Sequence, residues 1–282
     1  MRRMRCAAIV LAALAAALAG CAPTPPALPD GVTVLVYQPR PDVAAGRLAI
    51  QVANAGEDAV EVTAARLVSP DFADDVVWPG DTATVQPGLR LDLRAPIPGF
   101  TCTAEPHVRA ELEVATAAGV ATGTVDVDDP YELVPRLHAE GCVGAAIAEI
   151  ATLTPREVVV PAGQEPAVLV VDVAPTGAPG TVEIVGVRGT TLLQPADAGV
   201  STPELALGVP LDATGPHELR VPLLPNRCDA HALAEDKVGT IIPFLVDAGT
   251  ADEPVRWLLI LPDELKSALY GYYSAYCELD AG

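Results

Sequence analysis

The chain has 282 residues, enough for two ordinary domains or one large one, and half of it is apolar, so a sizeable core can be buried. Only 4% is aromatic, and 28 Pro with 23 Gly argue against long helices through most of its length; short Val-rich runs between turn signals read as all-β. The formal net charge is -20 with no basic stripe, which speaks against a nucleic acid as partner, and the scattered acids read as a solvated surface.

Residues 1–21 read MRRMRCAAIVLAALAAALAGC. Arg2, Arg3 and Arg5 form a positive leader, and Ala7 to Ala19 an uncharged apolar stretch. That stretch is too short for a comfortable membrane span and right for a signal peptide. Its ending, Leu18-Ala19-Gly20-Cys21, resembles the lipobox of bacterial lipoproteins. The resemblance implies a signal peptide over residues 1–20, cut before Cys21, whose thiol then carries a diacylglyceryl group. The expected address is therefore the lipid bilayer of the cell membrane, on its extracytoplasmic face. An ordinary secretory signal and an N-terminal anchor helix are the alternatives. Cys6 would leave with the leader, and the remaining cysteines would meet an oxidising compartment. Residues 21–31 hold the anchor cysteine and a Pro-rich stretch that reads as a semi-stiff tether.

The first strands are expected at 32–37, 47–54, 59–68, 89–95, 108–116 and 120–127. The runs at 47–54 and 59–68 alternate around Asn54-Ala55-Gly56, where Asn and Gly tolerate positive φ, and predict a β-hairpin. Further strands are expected at 157–161, 167–174, 181–189, 217–224, 238–247 and 255–262. Broken alternation at Val182, Ile184 and Val187 points to a bulge near Gly186.

A repeat links the two sets. LRAPIPGFTC, Leu93 to Cys102, aligns without gaps on LRVPLLPNRC, Leu219 to Cys228, sharing Leu93/Leu219, Arg94/Arg220, Pro96/Pro222 and Cys102/Cys228. The blocks lie about one sandwich-domain length apart, on the order of 100 residues. Each copy then has a later cysteine, Cys142 and Cys277. The strand pattern resembles tandem immunoglobulin-like or fibronectin-like β-sandwich domains, expected at 32–145 and 150–282. The second is expected to close with a helix over Pro262 to Leu279, where Leu265, Leu269, Tyr272 and Tyr276 share one face. An aromatic stripe at that spacing reads as core with hydroxyls reaching water; an exposed ligand platform is the other reading.

Four cysteines after Cys21 allow three pairings. The repeat selects Cys102–Cys142 and Cys228–Cys277, each worth about 3–4 kcal/mol through loop closure. The run LPNRCDAHALAED, Leu224 to Asp236, also invites a metal reading through Cys228 and His231. The first copy keeps the cysteine but moves the histidine, to His107, so no metal or other cofactor is expected. Asp229 is expected as a helix N-cap. Ser69, Ser201, Ser267 and Ser274 sit in no nucleophile elbow, and no Gly-rich phosphate loop occurs. Trp78, on a turn, is a candidate ligand contact. The expected role is non-catalytic: binding or scaffolding in the cell envelope, with an envelope protein or cell-wall ligand as partner. A metal-binding lipoprotein and a cell-wall hydrolase with an unmarked carboxylate pair are the rivals.

Overall fold

The computed structural model describes residues 27–102, 107–117, 119–212 and 215–279. The expected leader, Cys21 and most of the tether lie outside the described residues. The fold is mostly β. Its first half runs β1 (Val32–Tyr37), α1 (Arg40–Ala44), β2 (Arg47–Asn54), β3 (Val60–Val68), β4 (Val76–Val77), β5 (Ala83–Val85), β6 (Arg90–Pro96), β7 (Arg109–Thr116) and β8 (Gly119–Asp128). These strands pair in the order β4-β3-β7-β8-β1-β2-β6, with β5 also on β3. β1 and β8 run parallel, Val34 opposite Val127. Period-two alternation sends Val34, Ile50 and Leu93 inward from one side and Val62, Leu112 and Val114 inward from the other, building one buried core.

The hairpin expected around Asn54-Ala55-Gly56 does not form. β2 pairs with β1 and β6, whereas β3 pairs with β7, β4 and β5. The turn residues instead make an arch between strands that do not pair with each other. The buried Asn54 amide donates to the carbonyls of Asp58 (2.8 Å) and Val85 (3.0 Å), and its Oδ1 accepts from the Gly56 N–H at 2.9 Å. Alternation reports that each strand has one apolar face. Facing another strand across a core satisfies it as well as lying beside one.

The second half runs from α2 (Leu133–Ile150) directly into β9 (Ala151–Val159), then β10 (Ala167–Pro175), β11 (Val182–Arg188), β12 (Leu193–Asp197), β13 (Val200–Ser201) and β14 (Glu204–Leu211). β15 (His217–Pro225), α3 (Ala230–Ala234), β16 (Ile242–Asp247), β17 (Val255–Leu259) and α4 (Asp263–Tyr276) follow. Two sheets result, β13-β12-β15-β10-β9 and β14-β11-β16-β17. The register of β11 shifts between Ile184 and Gly186 against both neighbours, the bulge the sequence suggests. A Cβ on Gly186 would stand 2.9 Å from the Leu205 carbonyl oxygen, so the backbones meet there because the residue is glycine. The strands β12, β13 and β14 were not expected. β14 exposes or half-exposes nearly every residue and so carries no buried stripe.

Strand pairing repeats between the halves. β1-β2-β6 corresponds to β9-β10-β15, and β3-β7-β8 to β11-β16-β17, in the same chain order. Leu93 and Leu219, shared by the sequence repeat, are both buried. A helix follows each set, α2 after the first and α4 after the second.

α2 was not expected from the sequence, which pointed to the closing helix and to a short crossover capped by Asp229. It has 18 residues and covers 145–150, where a seam between domains was expected. Pro135, Gly141 and Gly144 read as breakers, yet each has a place. Pro135 lies in the first turn, where its missing N–H costs no hydrogen bond. The Asp129 carboxylate accepts from the N–H groups of Leu133 (2.7 Å) and Val134 (2.8 Å), capping that turn. Gly141 and Gly144 are notches: a Cβ on Gly141 would lie 2.1 Å from the Phe100 ring, and one on Gly144 3.3 Å from Trp257 Nε1. Leu133, Val134 and Leu137 enter the first core, and Val143, Ile147 and Ile150 the second. The buried face changes along the helix, so no continuous stripe marks it in the sequence.

Gly141 yields a test in which propensity and packing disagree in sign. Alanine in a helix interior ordinarily gains about 1 kcal/mol over glycine. The Phe100 contact makes Gly141→Ala destabilising instead, by about 1–3 kcal/mol. Urea denaturation should show a lower midpoint, and a raised midpoint would contradict the notch.

Candidate functional site

The four cysteines form two bonds, Cys102 to Cys142 and Cys228 to Cys277, the pairing selected by the repeat. Cys102 lies in the loop after β6 and Cys142 in α2; Cys228 lies in the loop after β15 and Cys277 at the end of α4. Each bond therefore ties the same loop to the helix that follows. The partners are 40 and 49 residues apart, worth about 4 kcal/mol each by loop-closure entropy. An aromatic ring reinforces each tie, from opposite sides. At the first, loop residue Phe100 fills the Gly141 notch, 5.6 Å from the Phe72 ring and 6.1 Å from that of His138. At the second, helix residue Tyr273 is fully buried, and its hydroxyl donates to the Arg227 carbonyl and accepts from the Asp229 N–H at 3.2 Å.

The run Leu224 to Asp236 is thereby accounted for. Cys228 is spent in a disulfide and offers no thiolate. Asp229 caps α3, its Oδ1 accepting from the His231 N–H at 3.0 Å. His231 is exposed and lies 3.2 Å from Glu235, one helical turn on.

The tyrosines of α4 pack inward. Leu265, Leu269 and Tyr272 are buried as the stripe predicts, but Tyr273 is buried too and Tyr276 only half-buried. Two of the hydroxyls reach the protein's own polar groups: Tyr272 donates to the carbonyls of Glu165 (2.9 Å) and Leu223 (3.2 Å), and Tyr270 to Asp236 at 2.9 Å. Burial pushes the Tyr272 hydroxyl up to about 12. Tyr37 is also pushed up to about 12, chiefly by its 2.5 Å hydrogen bond to Asp92. Trp78 is half-buried against the first core, and its ring covers Gly80, where a Cβ would lie 2.1 Å from it.

A cleft of about 580 Å³ beside α2 joins both halves, with Arg40, Arg136, Arg256, Thr190 and Asn226 in its walls. Among the described residues no Asp or Glu lines it. Glu140, nearly buried, sits one step away and serves two of the arginines. It accepts from Arg256 Nε at 2.9 Å, with a further contact from Arg256 Nη2, and lies 3.4 Å from Arg136 Nη1. Arg40 is exposed and has no ion pair among the described residues. The opposite wall is fixed by Thr190, whose hydroxyl donates to the Gly239 carbonyl at 2.6 Å, and by Asn226, whose amide donates to the Thr190 carbonyl at 3.1 Å. An adjoining cavity of about 510 Å³ is mostly apolar, walled by Val43, Ile97, Phe100, Leu137 and Leu258. The sequence reading singled out none of these arginines. They come from a short helix, α2 and a strand far apart in the chain, and no spacing links them.

No protein-family model matches the chain, and no curated protein matches it. Among solved structures, red sea bream transglutaminase is similar at 13% identity and a TM-score of 0.22, over 82% of this chain and 31% of that one. The chain thus spans less than a third of the transglutaminase. CBD12 from CALX1.2 is similar at 13% identity and a TM-score of 0.22, over 76% of this chain and 78% of that one.

An alkaline titration checks the buried hydroxyls. Folded Tyr272 keeps its proton above the ordinary value of 10.0, whereas the unfolded chain loses it there, so stability is full below that pH and falls as pH rises towards about 12. Tyrosinate absorbance should show three groups titrating late, Tyr37 and Tyr272 with Tyr270, whose hydroxyl burial also raises above its ordinary value, and Tyr272→Phe should remove one of them. Ionisation of all the tyrosines in one early step, with the fold intact, would contradict this.

Proposed function

We propose that this protein is a lipoprotein of the cell envelope, held to the extracytoplasmic face of the cell membrane through Cys21, with a non-catalytic binding or scaffolding role. Its body is read as two tandem immunoglobulin-like β-sandwich domains, with α2 ending the first and packing against the second. The observation that carries the proposal is the matched pair of disulfides, Cys102–Cys142 and Cys228–Cys277, in halves with the same strand pairing. Such bonds persist in oxidising compartments outside the cytoplasm. The ending Leu18-Ala19-Gly20-Cys21 supports the anchor independently. An acyl chain adds about 0.8 kcal/mol per buried CH₂, so a diacyl group holds a protein of this size to a bilayer. The cleft along α2 offers a place to bind a ligand, and an envelope protein or cell-wall component is the expected partner.

The test is envelope fractionation of the full-length chain in a bacterial host, beside Cys21→Ala. The native chain should enter the membrane fraction and partition into detergent, with both disulfides found by non-reducing peptide mass spectrometry. Cys21→Ala should lose the detergent partitioning. Equal partitioning of the two chains would sink the lipid anchor.

A further inference from the structure

We infer that the cleft beside α2 binds a small ligand through an oxyanion group, a carboxylate or a phosphate, gripped by Arg40, Arg136 and Arg256. The inference rests on the binding role proposed above and adds the ligand's chemistry. The first support is charge. The chain carries a net charge of -20, and its surface arginines are mostly opposed by acids. Arg156 meets Glu157, Asp172 and Glu218, while Arg66 meets Asp75 and Glu111. In the cleft the balance inverts: three arginines line one cavity, and one carboxylate, Glu140, serves two of them. The chain's prevailing field is negative, so a local positive excess is selective for anions that enter this one concavity, where low-dielectric walls focus it.

The second support is geometry. Guanidinium groups match carboxylate and phosphate oxygens in forked pairs. Glu140 uses a single oxygen, Oε1, on both Arg136 and Arg256, which holds those two side chains in place and leaves further N–H donors on each. Arg40 supplies a third set of donors that no carboxylate opposes among the described residues. The opposite wall is held by the Thr190–Asn226–Gly239 hydrogen bonds, so the pocket is formed before any ligand arrives. The third support is the apolar cavity that continues from the cationic end past Val43 and Leu258. It fits a ligand whose charged group sits among the arginines and whose apolar body lies along α2.

The test uses full-length protein in detergent, with the thermal midpoint followed against inorganic phosphate and, separately, succinate, at ionic strength held constant with chloride. A ligand that binds the folded state raises the midpoint saturably. At least one probe should do so, and Arg40→Gln and Arg136→Gln should each weaken the apparent affinity about tenfold or more, as loss of a charge-assisted contact does. Arg188→Gln, whose ion pair with Glu204 lies elsewhere, should leave it unchanged. Which probe binds distinguishes phosphate from carboxylate. Absence of saturable binding by both probes, or equal affinity in the native chain and Arg40→Gln, would overturn the site. Arg40 is exposed, so its variant should keep the unliganded midpoint, and loss of binding is then not loss of fold. A failed titration would leave the membrane partitioning untouched, so the two proposals fail separately.

Discussion

Everything in this fold depends on one helix being shared by two cores. The first turns of α2 bury Leu133, Val134 and Leu137 in one core, and its last turns bury Val143, Ile147 and Ile150 in the other. β9 then begins without a loop. A helix is stiff over this length, so its two ends fix the halves in distance and rotation. Two glycines make the arrangement possible by letting Phe100 from the first half and Trp257 from the second reach the helix backbone. Arg256 on β17 adds an ion pair to Glu140 on α2. The cleft exists because these contacts hold the halves at one separation.

The disulfides supply what the composition lacks. Only 4% of the chain is aromatic, so few large side chains are available to anchor loops on the cores. Each half solves this alike, with a covalent tie from loop to helix and one ring beside it. A gain of about 4 kcal/mol per bond is large against a typical folding free energy of about 5–15 kcal/mol. The two halves share the topology and the staple, while the ring sits on the loop in the first and on the helix in the second. Arg94 and Arg220 differ likewise. Arg94 reaches the buried Asp42 carboxylate at 2.6 Å, whereas Arg220 lies at the surface, 3.2 Å from Glu218.

Charge is distributed with comparable economy. Acids dominate the surface, and most of the described arginines pair with an acid close by, as Arg66, Arg156 and Arg188 do. The cleft departs from that rule, on the element that joins the two halves. A ligand there would touch α1, α2 and the β17 strand together, and so would report on, and reinforce, the relative placement of the two cores.

The sequence by itself determined most of the longer strands with one buried face, because period-two alternation is a local record of burial. It determined the bulge at Gly186, the Asp229 cap and the closing helix, whose signals also lie within a few residues of each other. It determined the cysteine pairing, because a repeated block carries long-range information inside a single chain. The tertiary structure decided the rest. Alternation cannot say whether β2 and β3 lie side by side or face to face, since either arrangement buries the same side chains. Gly141 and Gly144 lower helix propensity on their own and become favourable only when Phe100 and Trp257 pack against them. Arg40, Arg136 and Arg256 come to line one cleft only after the halves dock on α2, so the cationic cleft belongs to the docking and leaves no mark on any one segment.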